Sequence, residues 1–366
     1  MALQCGIIGL PNAGKSTIFN ALTAAQVPAE SYPFCTIDPN TGVVAVPDSR
    51  LDQVAAIFKS PKITPTVVEF VDIAGLVRGA SKGEGLGNKF LGRIREVEAL
   101  VHVVRCFEDP DVTHVEGSLD PLRDAELVTT ELLLKDLETA GRRHQRVQKG
   151  ARTGDKEAAK EALIWDLVLE GLDQGRTVRS LDLDENQLEP VRRLDLLTEK
   201  PVLYVANVDE EEIQRSDRAD DIKALFALAK SEGNLCIRLC GRLEHELSLL
   251  DQAEQLEFIE GYGLPEPGLD KLVHAAYRLL GYQTFFTGGP TEARAWTVPV
   301  GATAQEAAGQ VHTDMARGFI KAEVYPLEVL TRLGSEQAVR EAGLARQEGK
   351  GYLVQDGDVI FFKFNV

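Results

Sequence analysis

The residues best equipped for chemistry stand near the amino end, in Gly9-Leu10-Pro11-Asn12-Ala13-Gly14-Lys15-Ser16-Thr17. They fit G-x-x-x-x-G-K-[ST], a spacing with a physical rationale. Gly9 and Gly14 let the backbone turn so that the N–H groups of Asn12, Ala13, Gly14 and Thr17 can converge on one concavity. A helix beginning there adds partial positive charge. Lys15 offers a cation to β- and γ-phosphates, and the Ser16 hydroxyl can ligate Mg²⁺. An accidental glycine turn is the plain alternative. Against it, Cys5–Ile8 reads as a buried strand and Thr17–Leu22 as a helix with Phe19 and Leu22 inward, the context that phosphate binding requires. The stretch predicts binding of a nucleoside triphosphate.

Further groups would complete a hydrolytic site. Thr36, in Tyr32-Pro33-Phe34-Cys35-Thr36-Ile37, reads as a loop threonine that can reach Mg²⁺ once a γ-phosphate orders the loop. Asp72 ends the apolar run from Val67 and precedes Ile73-Ala74-Gly75. The acid can hold a metal's hydration shell through water, and the Gly75 N–H can face the γ-phosphate. Leu76 stands where many GTPases of this build carry a water-positioning glutamine, so another group or a partner must orient the water. The glycine-rich tail that follows, with Gly79, Gly83, Gly85 and Gly87, reads as a switch or a linker. His114, in the polar stretch Asp109–Gly117, is a candidate water activator; a solvated loop histidine is the plainer alternative.

A base-reading segment follows the apolar run 201–206 as Asn207-Val208-Asp209-Glu210. A guanine site would use N-K-x-D; here valine replaces the lysine and glutamate the aspartate. The longer carboxylate is displaced by a methylene, which weakens guanine reading and admits adenine. Asn207 is left to meet the base or to tie down the phosphate loop, and the Val208 backbone to meet an adenine edge.

The elements that must position these groups are legible as apolar strands over 67–72, 99–105, 201–206 and 235–239, and as helical spacing of Leu122, Leu127, Leu132, Leu133 and Leu137 between residues 121 and 197. Gly150–Gly154 breaks that run, which predicts a helical hairpin, coiled in character, inserted in the nucleotide domain. At its tip Arg142, Arg143, Arg146, Lys149 and Arg152 cluster with no acid between Glu138 and Asp155: a solvated helix end or an RNA-facing patch. Gln283 to the end carries β-β-α-β patterning and a final strand, as a β-grasp sheet would. The expected division is residues 1–280, interrupted by 121–197, and 281–366. Five cysteines fit free thiols in a reducing cytoplasm, and no run reaches bilayer length, so no membrane partner is expected. The net charge of −17 argues against a general nucleic-acid coat.

Taken together, Gly9–Thr17, Pro33-Phe34-Cys35-Thr36, Asp72–Val77 with its glycine-rich tail, Asn207–Glu210 and the ending Asp356-Gly357-Asp358 to Val366 closely resemble the YchF/Obg-like ATPases, in the translation-factor branch of the P-loop GTPase superfamily. The resemblance spans nearly the whole chain. It implies an α/β fold: a Ras-like P-loop domain with a helical insertion and a C-terminal TGS domain of β-grasp type. It further implies ATP hydrolysis preferred over GTP, and ribosome association, here expected on the large subunit. A hydrophobic residue at Leu76 is usual in that family. Asn12 matches an asparagine that holds K⁺ in potassium-dependent relatives, so K⁺ joins Mg²⁺ as an expected cofactor. The expectation is thus a cytoplasmic, monomeric, slow ATPase acting as a switch. A GTP-selective ribosome factor and a docking scaffold with incidental hydrolysis are the alternatives.

Overall fold

The computed structural model describes residues 3–24, 40–73, 86–109, 114–115, 117–215 and 219–365. Thr36, Gly75, Leu76 and the glycines 79, 83 and 85 lie outside them. By contact the chain forms two units: Met1–Val44 with Glu69–Ala276, and Ala45–Val68 with Tyr277–Val366.

The first unit is built on a six-stranded sheet of order β2-β4-β1-β5-β6-β7, with β1 Gln4–Ile8, β2 Thr41–Ala45, β4 Val67–Asp72, β5 Ala99–Arg105, β6 Val202–Asn207 and β7 Leu235–Leu239. β1 runs parallel to β4 and β5, β5 to β6, and β6 to β7. Every residue of β5 and β6 is buried. Parallel strands covered on both faces require this, which is why they read as near-continuous apolar runs. Helices α1 (Lys15–Ala24), α3 (Leu86–Glu96) and α8 (Asp220–Ser231) belong to this unit; Ile94, Leu100, Val104, Val202 and Leu225 share its main core. Register then aligns the site: Ile7 lies opposite Asp72 and Arg105 opposite Asn207. The carboxyl ends of β1, β4 and β6 therefore open at one edge, where ligands of open parallel sheets bind.

Between β5 and β6 the chain makes the expected helical hairpin, α4 (Pro121–Arg152) and α5 (Lys156–Asp173), followed by α6 (Glu185–Arg192). Asp120 caps α4, its carboxylate accepting from Arg123 N–H, and Pro121 follows at the first turn. Leu133, Ala140, Val147, Trp165 and Val168 form a core of their own. The break falls at the end of the Gly150–Gly154 stretch. Gly150 lies inside α4, and the turn is made around Gly154 at φ 91°. A Cβ on Gly150 would stand 3.1 Å from Ala158 Cβ, so the glycine serves close approach of α5 and does not end α4. The fully buried Asp136 fastens the hairpin to the chain before β6, accepting from Leu197 N–H (2.9 Å), Thr198 N–H (2.7 Å) and the Thr198 hydroxyl (2.7 Å). After β6 come α7 (Glu210–Gln214), α9 (Gly241–Leu247), α10 (Gln252–Gly261) and α11 (Gly268–Leu279).

The second unit carries a sheet of order β11-β10-β12-β8-β9-β3. β8 (Tyr282–Gly288) and β9 (Glu292–Pro299) form an antiparallel hairpin, and β12 (Asp358–Phe364) lies parallel beside β8 and antiparallel to β10 (Phe319–Pro326). With α12 (Ala304–Val311) between β9 and β10, this is the β-grasp order read from the sequence. The remaining elements are α13 (Thr313–Arg317), α14 (Leu327–Leu333), α15 (Glu336–Glu341) and β11 (Arg346–Glu348). Residues 45–68, which a linear division at 280 assigns to the first domain, fold here as α2 (Ser49–Phe58) and β3 (Lys62–Thr64). Leu51, Val54 and Ala55 of α2 are buried with Phe286 and Tyr325. Gly288 admits the Phe58 ring where a Cβ would collide with it. At the sheet's edge, the three residues of β3 pair, among the described residues, with β9 alone and leave two side chains exposed, so no alternation announces them. Among the described residues no helix is long and apolar enough to cross a membrane.

Candidate functional site

The loop between β1 and α1 has the backbone its glycines demand. Gly9 adopts φ 148°, Asn12 63° and Gly14 92°, all in the region that favours glycine or asparagine. A Cβ on Gly9 would strike the Val103 carbonyl, and one on Gly14 the Asn207 amide. Lys15 begins α1 and is only 7% exposed; its ammonium donates to the Leu10 carbonyl at 2.7 Å. Burial lowers its pKa, and the nearby Asp72 carboxylate works against that shift. Burial in turn raises the pKa of Asp72, opposed by Lys15 and Arg93. Among the described residues the buried Asp72 Oδ1 atom has no hydrogen-bond partner. A desolvated cation, an unpaired carboxylate oxygen and an exposed Ser16 hydroxyl thus stand together at a helix N-terminus. This is a set of groups suited to a phosphate and a hard divalent cation.

Asn207 fixes the loop. It is 4% exposed, donates through Nδ2 to the Ala13 carbonyl (2.9 Å) and accepts through Oδ1 from Gly241 N–H (2.9 Å). Of the two roles open to it in the sequence, the geometry makes this asparagine a tie between the phosphate loop and the loop after β7. Val208 is buried, and its N–H donates to the Leu239 carbonyl at 2.9 Å, so its amide is already engaged. Asp209 caps α7, accepting from Glu212 N–H at 2.8 Å.

Beside this tie opens a cleft of about 920 Å³ whose lining includes Asn12, Gly14, Thr17, Asn207, Val208 and Glu210. Cys240, just after the strand 235–239, also lines it, while Phe107, Arg242 and His245 were not singled out in the sequence. Arg105, at the end of β5, shapes the Phe107 side. Its guanidinium lies 4.7 Å from the Phe107 ring centre and donates to the Phe107 carbonyl at 3.1 Å. Only a β-strand ending in arginine before an aromatic residue hinted at that wall.

His114 is not in this cleft. It lines a separate small cavity beneath the phosphate loop with Leu10, Ala13 and His102, and its Nε2 pairs with Asp124 at 2.7 Å. Its side chain is 12% exposed, so the solvated-loop alternative does not describe it. Neighbouring His102 is buried against Tyr204, and burial pushes its pKa down to about 3, aided by the positive charges of Arg179 and Lys15. It is held neutral. At the hairpin tip, Arg142 and Arg143 pair with Glu138 (3.6 Å) and Glu161 (2.7 Å). Arg146, Lys149 and Arg152 are exposed and make no ion pair among the described residues.

Comparison with known proteins extends beyond this geometry. The family model described as "50S ribosome-binding GTPase" matches residues 4–135, the segment with the phosphate loop and Asp72. The YchF-GTPase_C model, described as "Protein of unknown function (DUF933)", matches residues 282–365 of the second unit. The Ribosome-binding ATPase YchF of Haemophilus influenzae is 50% identical over 366 residues, the whole of both chains. The proteins of that name from Escherichia coli O157:H7 and Bacillus subtilis are 50% and 48% identical, again over the whole of both chains. The structure of the Schizosaccharomyces pombe YchF GTPase superposes with a TM-score of 0.88 at 35% identity, covering 99% of this chain and 97% of that one. With half its residues shared end to end and both units matched, the chain belongs to the YchF family.

Proposed function

We propose that this protein binds ATP in preference to GTP, hydrolyses it slowly, and uses the cycle as a switch on the ribosome, the activity and partner that its relatives' names carry. One observation carries the reading most directly. The phosphate loop is pinned by Asn207 beside a base cleft that presents Val208 and Glu210 in place of the guanine-reading lysine and aspartate. Water attacks the γ-phosphate in line. Lys15 and the amides of Asn12–Thr17 stabilise the charge that develops, and the Gly75 N–H is the group that would be offered to the γ-phosphate. Phosphate oxygens replace the Leu10 carbonyl as Lys15's partner and offset the desolvation that lowers its pKa. Ser16, Thr36 and, through water, Asp72 would hold Mg²⁺; the orphaned Asp72 Oδ1 fits that role. When bound, the ion neutralises charge on the transferred phosphoryl group. Asn12 is the K⁺ ligand in this reading. With Leu76 in place of a water-positioning glutamine, turnover is of order 10⁻³ per second or less.

The protein acts in the cytoplasm as a monomer and docks on the large subunit, with Arg146, Lys149 and Arg152, joined by Arg142 and Arg143, on RNA. Co-sedimentation with ribosomal subunits in ATP, ADP and no nucleotide tests this together with Lys15→Ala. Loss of hydrolysis and of nucleotide-dependent sedimentation in that variant is expected. Sedimentation indifferent to nucleotide and to the variant replaces the switch with a passive docking protein. Tenfold tighter GTP than ATP in calorimetry replaces the ATPase with a GTPase. Equal turnover in KCl and NaCl removes K⁺. For His114, a tenfold loss of turnover in His114→Ala at unchanged ATP affinity supports water activation; unchanged turnover leaves it a tether to Asp124.

A further inference from the structure

Glu210 sits in the first turn of α7 and lines the base cleft, yet its carboxylate is already engaged. Tyr262, the residue after α10, donates its hydroxyl to Glu210 Oε2 at 3.1 Å. On the other oxygen, Arg242 Nε of α9 stands 3.8 Å from Oε1. The tyrosine is itself held in place. Its ring stacks on Phe258 with centres 4.8 Å apart and planes at 17°, and both pack on the main core of the first unit. Desolvation, with the adjoining Glu210 carboxylate, keeps the hydroxyl above its usual pKa, so it remains a donor through the neutral range. Tyr262 is not part of the cleft wall, so it holds Glu210 from outside the space a base would fill.

The consequence depends on what a carboxylate can do to each purine. An ionised carboxylate only accepts. Guanine's pairing edge offers it two donors, the N1–H and the exocyclic amine. Adenine's edge offers the N1 lone pair beside one amine. A carboxylate free to swing into the cleft would gain a two-pronged contact with guanine and meet a repelling lone pair on adenine.

We infer that Tyr262 is a positioning residue for base selection: by occupying Glu210 Oε2 it withholds the carboxylate from the purine edge, so adenine is tolerated and guanine goes unread. This rests on the nucleotide-site reading above. The two residues lie 52 positions apart in sequence, and the fold brings Tyr262, just after α10, to Glu210 at the start of α7.

Tyr262→Phe keeps the ring and its stack on Phe258 while removing the hydroxyl. Titration calorimetry with ATP, GTP and ITP in magnesium reads the ratio Kd(GTP)/Kd(ATP), a quantity that a general loss of packing would not move. The ratio is expected to fall by at least about fivefold, the scale of one recovered hydrogen bond. ITP, which shares the N1–H, should move with GTP. In Tyr262→Phe/Glu210→Gln the gain should disappear, because the released group no longer accepts through two oxygens. An unchanged ratio in folded Tyr262→Phe overturns the inference, as does a shift that survives Glu210→Gln. Wild-type protein that binds none of the three nucleotides overturns the site reading instead, so the two failures are distinct.

Discussion

Asn207→Ala tests how far the site depends on a single buried amide. The substitution removes the donor to the Ala13 carbonyl and the acceptor for Gly241 N–H, two buried bonds of 2.9 Å each. Each stranded buried polar group costs about 1–3 kcal/mol. With water reaching one of the two, one stranded group remains and the first unit should lose about 1–3 kcal/mol. If about 2 kcal/mol of that returns when phosphate re-forms the loop, ATP affinity falls about 30-fold. Asn207→Asp separates the two bonds. It keeps the acceptor for Gly241 but turns a carboxylate oxygen toward the Ala13 carbonyl, so its affinity loss should match or exceed that of the alanine variant. The chain has two tryptophans, Trp165 in the first unit and Trp296 in the second. Urea unfolding followed by Trp165 fluorescence in a Trp296→Phe background therefore reports the right unit, and calorimetry with ATP reports the loop. A stability change below about 0.5 kcal/mol with unchanged ATP affinity would refute the argument that this side chain holds the loop.

Three other outcomes follow from the same geometry. Gly14→Ala forces a left-handed φ of 92° on alanine and drives its methyl into the Asn207 amide, so ATP binding should be lost, as equilibrium dialysis would read. His102, held neutral with a pKa of about 3 against about 6.5 unfolded, contributes stability that is whole above pH 6.5 and declines as pH falls toward 3. The slope approaches about 1.4 kcal/mol per pH unit, and His102→Phe should flatten that share of the urea-midpoint profile. Reversing Arg146, Lys149 and Arg152 to glutamate should shift the unfolding midpoint little, since none is in an ion pair among the described residues. It should weaken ribosome co-sedimentation and make what remains less salt-dependent.

How much of this was legible in the chain depends on whether the cause was local. The phosphate loop was, because Gly9 and Gly14 answer a demand made by their own φ angles. Strands β4, β5 and β6 were, because a doubly covered parallel strand must be apolar throughout. The hairpin and its break were visible in leucine spacing and in Gly150–Gly154, but which of those glycines ends α4 was not: a glycine permitting close helix approach looks the same in sequence as one ending a helix. Asn207 was recognised with two roles, and only the 194-residue return to Ala13 separates them. Tyr262 and Arg242 carry no spacing signal, since they meet Glu210 only through the tertiary fold, 52 and 32 residues away along the chain. The three-residue β3 escaped because an exposed edge strand has no alternation to detect.

The crossing of residues 45–68 has a practical corollary for anyone wishing to express the halves separately. A gene cut at codon 280 would excise α2 and β3 from the sheet they complete, leaving Phe286 and Tyr325 uncovered in one product and Leu51 and Val54 as a sticky appendage on the other. A clean carboxy-terminal fragment instead calls for a graft: residues 45–68 spliced by a short linker ahead of residue 277.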